Sequence, residues 1–290
     1  MRPSSRTTDP QDAFDWLGRG AAVGPWVIER ELGKGGMSTV YAVTHAIDER
    51  RAALKLARLD PTDGPITAAC FLLEARCAIA VSHPGAVRVI EAGAIADRPY
   101  LVMERLAGRT LGEVVDEGPV PHADAIAILL ELCEVLGAAH AEGIVHRDVK
   151  LDNVFVLGAP APRRTKLIDW GVARIRGEED PWAGMMAGTP QYVAPEQARG
   201  EEVGPATDVY ALGVLTYRLF LGRLPFDSDS PTRLMRMHCK ARPPRAHTHA
   251  SIPCAIDDVM RSMLAKRAAE RPSLSEVSRA LGDAAARLPR

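Results

Sequence analysis

The sequence predicts an α+β fold, with short strands in its first part and mostly helices in its second part. Strand-length apolar runs recur from Trp26 to Met103, and helix-length apolar periodicity dominates after Gly108. A strongly polar stretch, His146 to Asn153, lies between two apolar segments of the second part. A chain of 290 residues is long enough for one large domain or for two modest lobes that share a cleft.

Composition indicates an ordinary soluble globular protein, because 47% of the residues are hydrophobic and 25% are charged. The net charge of -1 gives no support to a nucleic-acid or anionic-membrane partner. No apolar run is long enough to span a bilayer, and the polar residues 1–10 lack the apolar core of a signal peptide. Five scattered cysteines form no C-x-x-C pair, so we expect reduced thiols and a cytoplasmic protein.

The first part of the chain is predicted element by element. Residues 1–22 have no sustained periodicity, which predicts a flexible tail with one short helix near Phe14, Trp16 and Leu17. Strands are then predicted at Val27–Leu32, Val40–Thr44, Ala52–Leu56, Val87–Ile95 and Pro99–Met103.

Apolar periodicity predicts two helices. The first runs from Ile66 to Val81 and the second from Asp124 to Ala141. The predicted apolar face of the first helix consists of Phe71, Leu72, Ala75, Ala78 and Ile79. The stripe of the second helix is interpreted as core alone.

A glycine-rich turn, Gly33 to Ser38, separates the first two predicted strands. Glycines at such positions let the backbone turn tightly and bring amide N–H groups against phosphate oxygens. The signal is weak alone, because many hairpins are rich in glycine. A dinucleotide-binding site requires a helix after the turn, and here another strand follows, which disfavours that interpretation.

The stretch His146 to Asn153 has the residue types of a catalytic loop. Asp148 can accept a proton from a hydroxyl, Lys150 can neutralise a phosphate, and Asn153 offers an amide oxygen to Mg²⁺. A polar surface turn is the alternative, and three such residues alone would favour it. The string H-R-D-x-x-x-x-N is far rarer than such a turn.

This string resembles the catalytic loop of the protein kinases. Other segments resemble that family in the same order along the chain, from Trp26 to Leu281: Gly33, Gly35, Lys55, Glu74, Met103, His146-Arg147-Asp148, Asn153, Asp169, Gly171, Ala194-Pro195-Glu196 and Arg271. The sequence is most similar to the eukaryotic-like (Hanks-type) serine/threonine kinases of bacteria. The resemblance implies the bilobal protein-kinase fold, with a tail at 1–22, an N-lobe at 23–106 and a C-lobe at 107–290.

The resemblance also implies the functional residues. The catalytic set it implies is Asp148, Lys150, Lys55 and Glu74, with Lys150 indicating serine/threonine specificity. ATP would be contacted by Leu32, Gly33, Lys34, Gly35, Gly36, Ser38, Val40, Ala53, Lys55, Met103, Glu104, Leu106 and Phe155. Mg²⁺ would be bound by Asn153 and Asp169, and Arg271 would pair with Glu196 in a buried structural ion pair. The expected partners are protein substrates with Ser or Thr acceptors, and the oligomeric state is not determined by the sequence.

Two departures from the family pattern lie in the segment after Asp169. Trp170 stands where the family has Phe, and we expect it to fill space left by Ala78. No Ser, Thr or Tyr occurs from Val172 to Gly188, so we expect activity without phosphorylation of this segment. The acidic run Glu178-Glu179-Asp180 has two interpretations: adjacent carboxylates, Glu178 and Glu179 in particular, that replace a phosphate on Arg147, or a solvated loop.

Two other functions and one metal site have partial support in the sequence. A pseudokinase scaffold predicts loss of Lys55, Asp148, Asn153 or Asp169, and all four are present. A small-molecule phosphotransferase is disfavoured because the stretch from Gly188 to Glu196 resembles a platform for protein substrates. The set Cys239, His247, His249 and Cys254 has residue types of a zinc site, but its spacing predicts a solvated loop.

Overall fold

The computed structural model describes residues 17–35, 38–58, 64–95, 97–158, 165–245 and 252–287, with side chains in the first helix from residue 68 onward. The chain forms two compact units. The first comprises residues up to Phe71 together with Arg88–Arg105, and the second comprises Leu72–Val87 and the chain from Leu106 onward. The described ranges contain no helix with the length and apolar character needed to cross a membrane. The short helix predicted near Phe14 falls outside the described residues, except for Leu17.

The first unit contains an antiparallel sheet of six strands in the order β1-β2-β3-β4-β6-β5. The strands are β1 (Ala22–Val23), β2 (Trp26–Lys34), β3 (Ser38–His45), β4 (Arg51–Ala57), β5 (Val89–Ile95) and β6 (Arg98–Glu104). All five predicted strands are confirmed. Strand β5 begins two residues later than predicted, because Val87 belongs to the second unit and donates its N–H to Leu167 O of that unit.

The core of the first unit lies on one face of this sheet. It includes Trp26, Ile28, Val43, Leu54 and Val102, all buried. The polar atoms that enter this core are hydrogen-bonded: the Trp26 indole N–H and the Tyr100 hydroxyl both donate to the Glu91 carboxylate, at 3.0 and 2.8 Å. The sheet is therefore a rigid support for the hairpin between β2 and β3.

The second unit is mostly helical. Its helices are α2 (Leu111–Glu117), α3 (His122–Ala141), α4 (Pro195–Arg199), α5 (Pro205–Leu221), α6 (Pro231–Lys240), α7 (Cys254–Met263) and α8 (Leu274–Ala285). Helix α1 (Gly64–Ala80) begins in the first unit and continues in the second. Short strands form two small sheets, of order β10-β9-β7 and β11-β8, from β7 (Gly108–Thr110), β8 (Ile144–Val145), β9 (Val154–Leu157), β10 (Thr165–Leu167) and β11 (Arg174–Ile175). The predicted α+β fold is confirmed.

The predicted apolar face of α1 is partly wrong. Phe71, Ala75 and Ala78 are buried as expected, but Leu72 is 62% exposed and Ile79 is 68% exposed. Leu72 and Ile79 are seven residues apart and therefore lie on one side of the helix. The periodicity could not select the buried side, because apolar residues occur all around this helix.

Helix α5 is the most buried helix of the second unit. It begins with Pro205 at its first position and ends at Gly222, whose φ of 67° suits a glycine cap. A Cβ at Gly213 would lie 2.9 Å from Met263 Cβ, so the close contact between α5 and the end of α7 requires glycine there. Asp208, in the first turn of α5, is fully buried.

Candidate active site

The second unit brings the polar stretch from residue 146 to residue 153 into one fixed loop. Gly143, with a φ of +73°, ends α3, and β8 then leads directly into His146. Strand β8 pairs with β11, and β9 follows the loop after a single 3₁₀ turn at Leu151–Asn153. Both ends of the loop are therefore held by strand pairing.

Asp208 anchors the backbone of this loop. Its carboxylate accepts the N–H groups of His146 and Arg147 at 2.9 and 2.8 Å, and lies 2.8 Å from His140 Nε2. Burial alone raises the pKa of Asp208, but the hydrogen bond and charge of His140 and the contacts from His146 leave it below its ordinary value. Arg147 has a φ of +67°, which is costly for a residue with a side chain, and the hydrogen bonds to Asp208 hold the backbone at this position.

Asp148 is held by three donors. Its Oδ1 accepts the N–H of Thr189 at 2.8 Å, and its Oδ2 accepts Lys150 Nζ at 2.7 Å and Asn153 Nδ2 at 3.0 Å. Lys150 Nζ also donates to Thr189 Oγ1 at 2.7 Å. The carboxylate, 7% exposed, thus has one fixed orientation, which is what a group that accepts a proton in a transition state requires.

The oxygen ligands that Mg²⁺ prefers are present in the same unit. Asn153 uses its amide nitrogen to bind Asp148, which directs its amide oxygen away from that carboxylate. A Cβ at Gly171 would lie 3.4 Å from both Asp169 Oδ1 and Glu74 Oε2, so two carboxylates border this glycine. Asp169 has a φ of +64°, a second strained backbone position in this region. Carboxylate and amide oxygens fit Mg²⁺, and no group of three or more His, Cys, Asp or Glu within the described ranges suggests another metal. His247 and His249 lie outside those ranges.

The side chain of Arg147 contacts the segment that follows Asp169. Its guanidinium pairs with both oxygens of Asp180, at 2.7 and 2.9 Å, and also donates to Val172 O and Ala173 O at 2.6 and 3.2 Å. The acidic run is therefore not merely a solvated loop, but the residue on Arg147 is Asp180, whereas the sequence interpretation placed Glu178 and Glu179 there.

Glu178 binds a different arginine. Arg76 on α1 donates from both terminal nitrogens to the Glu178 carboxylate, with Nη1 at 2.7 Å from Oε2. These hydrogen bonds and the charge of Arg76 hold the pKa of Glu178 below its ordinary value. The structure leaves Glu179 exposed.

Most of the remaining predicted residues belong to the first unit. In the β2–β3 hairpin Gly33 pairs with Val40, and Gly35 donates its N–H to Ser38 O at 2.8 Å; Gly36 is outside the described residues. Leu32 and Lys34 are exposed. Lys55 lies on β4, with its ammonium 5.7 Å from the Phe71 ring, and its pairing with Glu74 stays a prediction.

Three more of these residues lie on β4 and β6, and two lie in the second unit. Ala53 pairs with Met103, and Glu104 accepts the Arg88 N–H at 2.8 Å. Phe155 lies on β9 opposite Thr110. Leu106 opens the second unit.

A family model of the protein kinase domain matches residues 26–280. The chain belongs to the protein kinase family. This kinase is 37% identical to the serine/threonine-protein kinase pkn2 of Myxococcus xanthus, over 90% of the chain and 32% of that relative. It is 36% identical to the serine/threonine-protein kinase PknB of Mycobacterium leprae, over 83% of the chain and 39% of that relative.

Solved structures agree with these relatives. The PknI kinase domain of Mycobacterium tuberculosis, a double mutant, superposes with a TM-score of 0.74 at 26% identity, covering 93% of the kinase and 99% of that chain. The expected resemblance to bacterial serine/threonine kinases is confirmed. The kinase spans about a third to two fifths of the length of these two curated relatives.

The second unit contains the buried ion pair between Glu196 and Arg271 that the resemblance implied. Arg271 donates to both oxygens of Glu196, at 2.6 and 2.7 Å, and Thr207 donates its hydroxyl to the same carboxylate at 2.9 Å. Arg271 also donates to Ala206 O and Ala265 O, so each of its three side-chain nitrogens has an acceptor. The pair connects the stretch that ends at Glu196 to the start of α5.

Trp170 is fully buried in the kinase. Its ring centroid lies 4.7 Å from that of His146, and its indole N–H has no acceptor among the described residues. Ala78 is buried as well. That Trp170 fills the space beside Ala78 stays a prediction.

Sequence reasoning missed four residues of this region: His140, Arg76, Asp180 in its contact with Arg147, and Trp182. Only His140 could have been identified from the sequence, because it is a lone histidine in the last turn of the predicted helix that leads to the loop. The others depend on how the chain folds back on itself, which residue spacing does not reveal.

Proposed function

We propose that this kinase transfers the γ-phosphate of ATP to Ser or Thr hydroxyls of protein substrates. The observation that carries the proposal is the Asp148 carboxylate, oriented by Thr189, Lys150 and Asn153 in a single hydrogen-bonded cluster. Phosphoryl transfer requires little covalent chemistry from the protein, so positioning and charge account for most of the rate.

The residues of the second unit have separate roles in the proposed phosphoryl transfer. Asp148 accepts the proton of the attacking hydroxyl, and the Lys150 ammonium, already 2.7 Å from Oδ2, neutralises the transferred phosphoryl group. Asn153 and Asp169 are the residues we propose as Mg²⁺ ligands. When bound, Mg²⁺ supplies positive charge to the phosphate oxygens. Glu74, whose Oε2 borders Gly171, completes the charged surroundings.

The nucleotide contacts implied by the resemblance are part of the proposal. The β2–β3 hairpin offers backbone N–H groups to phosphates, Lys55 offers an ammonium, and the backbone near Met103 and Glu104 offers hydrogen bonds to the adenine edge. Leu32, Val40, Ala53, Leu106 and Phe155 offer apolar contacts to the base.

A reducing compartment such as the cytoplasm is the location we propose. All five cysteines are unpaired, and three of them, Cys70, Cys77 and Cys133, are buried.

The test measures transfer of label from γ-labelled ATP with Mg²⁺ to a generic basic protein. We expect labelling of Ser and Thr by the wild type, and a loss of turnover by about 10²-fold or more in Asp148→Asn while nucleotide still binds. Asp152→Asn is the matched control, because Asp152 is an exposed aspartate in the same loop. Equal turnover in the wild type and Asp148→Asn would contradict the mechanism. A wild type that binds Mg-ATP and labels no protein would indicate a scaffold or a small-molecule kinase.

A further inference from the structure

Three successive backbone carbonyls follow the Asp169-Trp170 pair, and side chains hold all three. Arg147 donates to two of them, Val172 O at 2.6 Å and Ala173 O at 3.2 Å. The Trp182 indole N–H donates to the third, Gly171 O, at 3.1 Å. The backbone directly after Asp169 is therefore fixed from outside by two side chains.

Asp180 binds both of these residues, Arg147 through its guanidinium and Trp182 through its backbone N–H. Its two oxygens form a bidentate pair with the Arg147 guanidinium, and its Oδ1 also accepts the Trp182 backbone N–H at 3.0 Å. One carboxylate thus connects, through one further residue each, to Gly171, Val172 and Ala173. Arg147 is also the neighbour of Asp148 in the chain, so the Asp180 carboxylate contacts the residue next to that aspartate.

The ion pair between Arg147 and Asp180 is largely buried, so its loss is expected to be costly. The Arg147 side chain is 5% exposed and that of Asp180 is 14% exposed, so the loss of Asp180 leaves a buried guanidinium without its counter-ion. Burial raises the pKa of Asp180, but the bonds from Arg147 and Trp182 and the charges of Arg147 and Arg174 outweigh this and lower it. The carboxylate is therefore charged at neutral pH.

The neighbouring ion pair between Arg76 and Glu178 is exposed to solvent, unlike the pair between Arg147 and Asp180. Its side chains are 49% and 38% exposed, and exposed ion pairs contribute little. Glu178 is therefore a matched control for Asp180, since both are acidic, both bind an arginine bidentately, and they lie two residues apart.

We propose that Asp180 is a positioning residue that holds the Asp169-Trp170-Gly171 segment in one arrangement through Arg147 and Trp182. Because its charge is permanent and no hydroxyl occurs from Val172 to Gly188, the kinase needs no phosphate on this segment to be active. The statement about activity rests on the proposed function; the statement about position does not.

The first arm of the test is kinetic. Asp180→Asn keeps an oxygen for the Trp182 N–H but removes the charge, and we expect kcat to fall about tenfold or more with a smaller change in KM for the protein substrate. Asp180→Glu, which restores the charge, should recover most of the rate. Glu178→Gln should stay within about threefold of the wild type. Trp182→Phe, which removes only the indole donor, should lie between the wild type and Asp180→Asn.

The second arm needs no activity. Hydrogen exchange measured by mass spectrometry on peptides spanning residues 169–183 should be faster in Asp180→Asn than in the wild type, and unchanged in Glu178→Gln. If Asp180→Asn fails to fold, Trp182→Phe and Asp180→Glu carry the same comparison.

The third arm addresses phosphorylation. Wild-type protein treated with phosphatase should label substrate at its full rate with no lag. A lag that prior phosphorylation between Val172 and Tyr192 removes would overturn the inference, as would wild-type kcat and exchange in Asp180→Asn. A wild type that labels nothing overturns the proposed function instead, and the exchange arm then still decides the role of Asp180.

Discussion

Glu196 and Arg271 form a bidentate ion pair in which both side chains are almost completely buried, with the shorter N–O distance at 2.6 Å. Burial raises the pKa of Glu196, but the hydrogen bonds and charge of Arg271 outweigh it and hold the pKa below its ordinary value. Removal of one partner leaves the other charge buried without compensation.

We therefore expect Glu196→Gln to lower the free energy of unfolding by about 3–5 kcal/mol at neutral pH. Since the folded-state pKa is depressed, the stabilisation is complete above the ordinary pKa of about 4.5 and is lost as pH falls through the folded-state pKa. Urea denaturation of both proteins across pH 3 to 7 should show a gap that narrows below about pH 4.5. Glu201→Gln, in an exposed pair with Arg199, is the control and should cost less than about 1 kcal/mol. A gap that stays constant with pH would contradict the linkage.

We predict that the Thr189 hydroxyl contributes to turnover independently of the Thr189 backbone N–H. Thr189→Val keeps the N–H that binds Asp148 Oδ1 but removes the oxygen that accepts Lys150 Nζ. We expect kcat to fall about tenfold, because one neutral partner of a charged donor is lost, at about 1.5 kcal/mol. Thr189→Ser should restore the rate. Steady-state kinetics of the three proteins provide the measurement, and identical rates for Val and Ser would show that the hydroxyl plays no part.

Two buried tryptophans differ in one bond, which predicts different responses to the same substitution. The Trp26 indole N–H donates to Glu91 at 3.0 Å, whereas that of Trp170 has no acceptor among the described residues. Trp→Phe removes similar volume at both positions but breaks a hydrogen bond only at Trp26. Trp26→Phe should therefore cost about 1–3 kcal/mol more than Trp170→Phe in chemical denaturation. Equal losses would mean that the Trp170 N–H is satisfied in solution.

Ala78→Leu tests the expected exchange of volume between Ala78 and Trp170. Both are buried, so added methylenes should overpack the site and cost about 1–3 kcal/mol of stability while lowering turnover. The double variant Ala78→Leu with Trp170→Phe should recover much of both losses. Measured additivity of the two changes would show that the two side chains do not share space.

The sequence predicted the strands of the first unit well, because each is a short apolar run bounded by turn residues. It predicted the loop from His146 to Asn153 and the Glu196–Arg271 pair through the order of motifs. The face of α1 was harder, since Leu72 and Ile79 are as apolar as the residues that the helix buries, and only the packed structure shows which side is covered.

The sequence also could not predict which carboxylate of the acidic run contacts Arg147. Glu178, Glu179 and Asp180 are adjacent and alike in charge, and the turn that follows, with the Trp182 N–H on Asp180, decides which carboxylate faces Arg147. Trp182 gave no signal at all, because a lone tryptophan in a loop has no periodicity or motif. Contacts made by loop backbones are therefore the part of the site that residue patterns could not supply.

The carboxylate that holds the backbone of His146 and Arg147 belongs to α5, the most buried helix of the second unit. Loosening of the loop would break its hydrogen bonds to Asp208, and a shift of α5 would disrupt its close packing at Gly213 against Met263. Heat inactivation and melting of the second unit should therefore coincide in one transition. The temperature at which the loop around Asp148 loses its arrangement is then set by the buried packing of α5. Better packing of α5, far from Asp148, would raise that temperature.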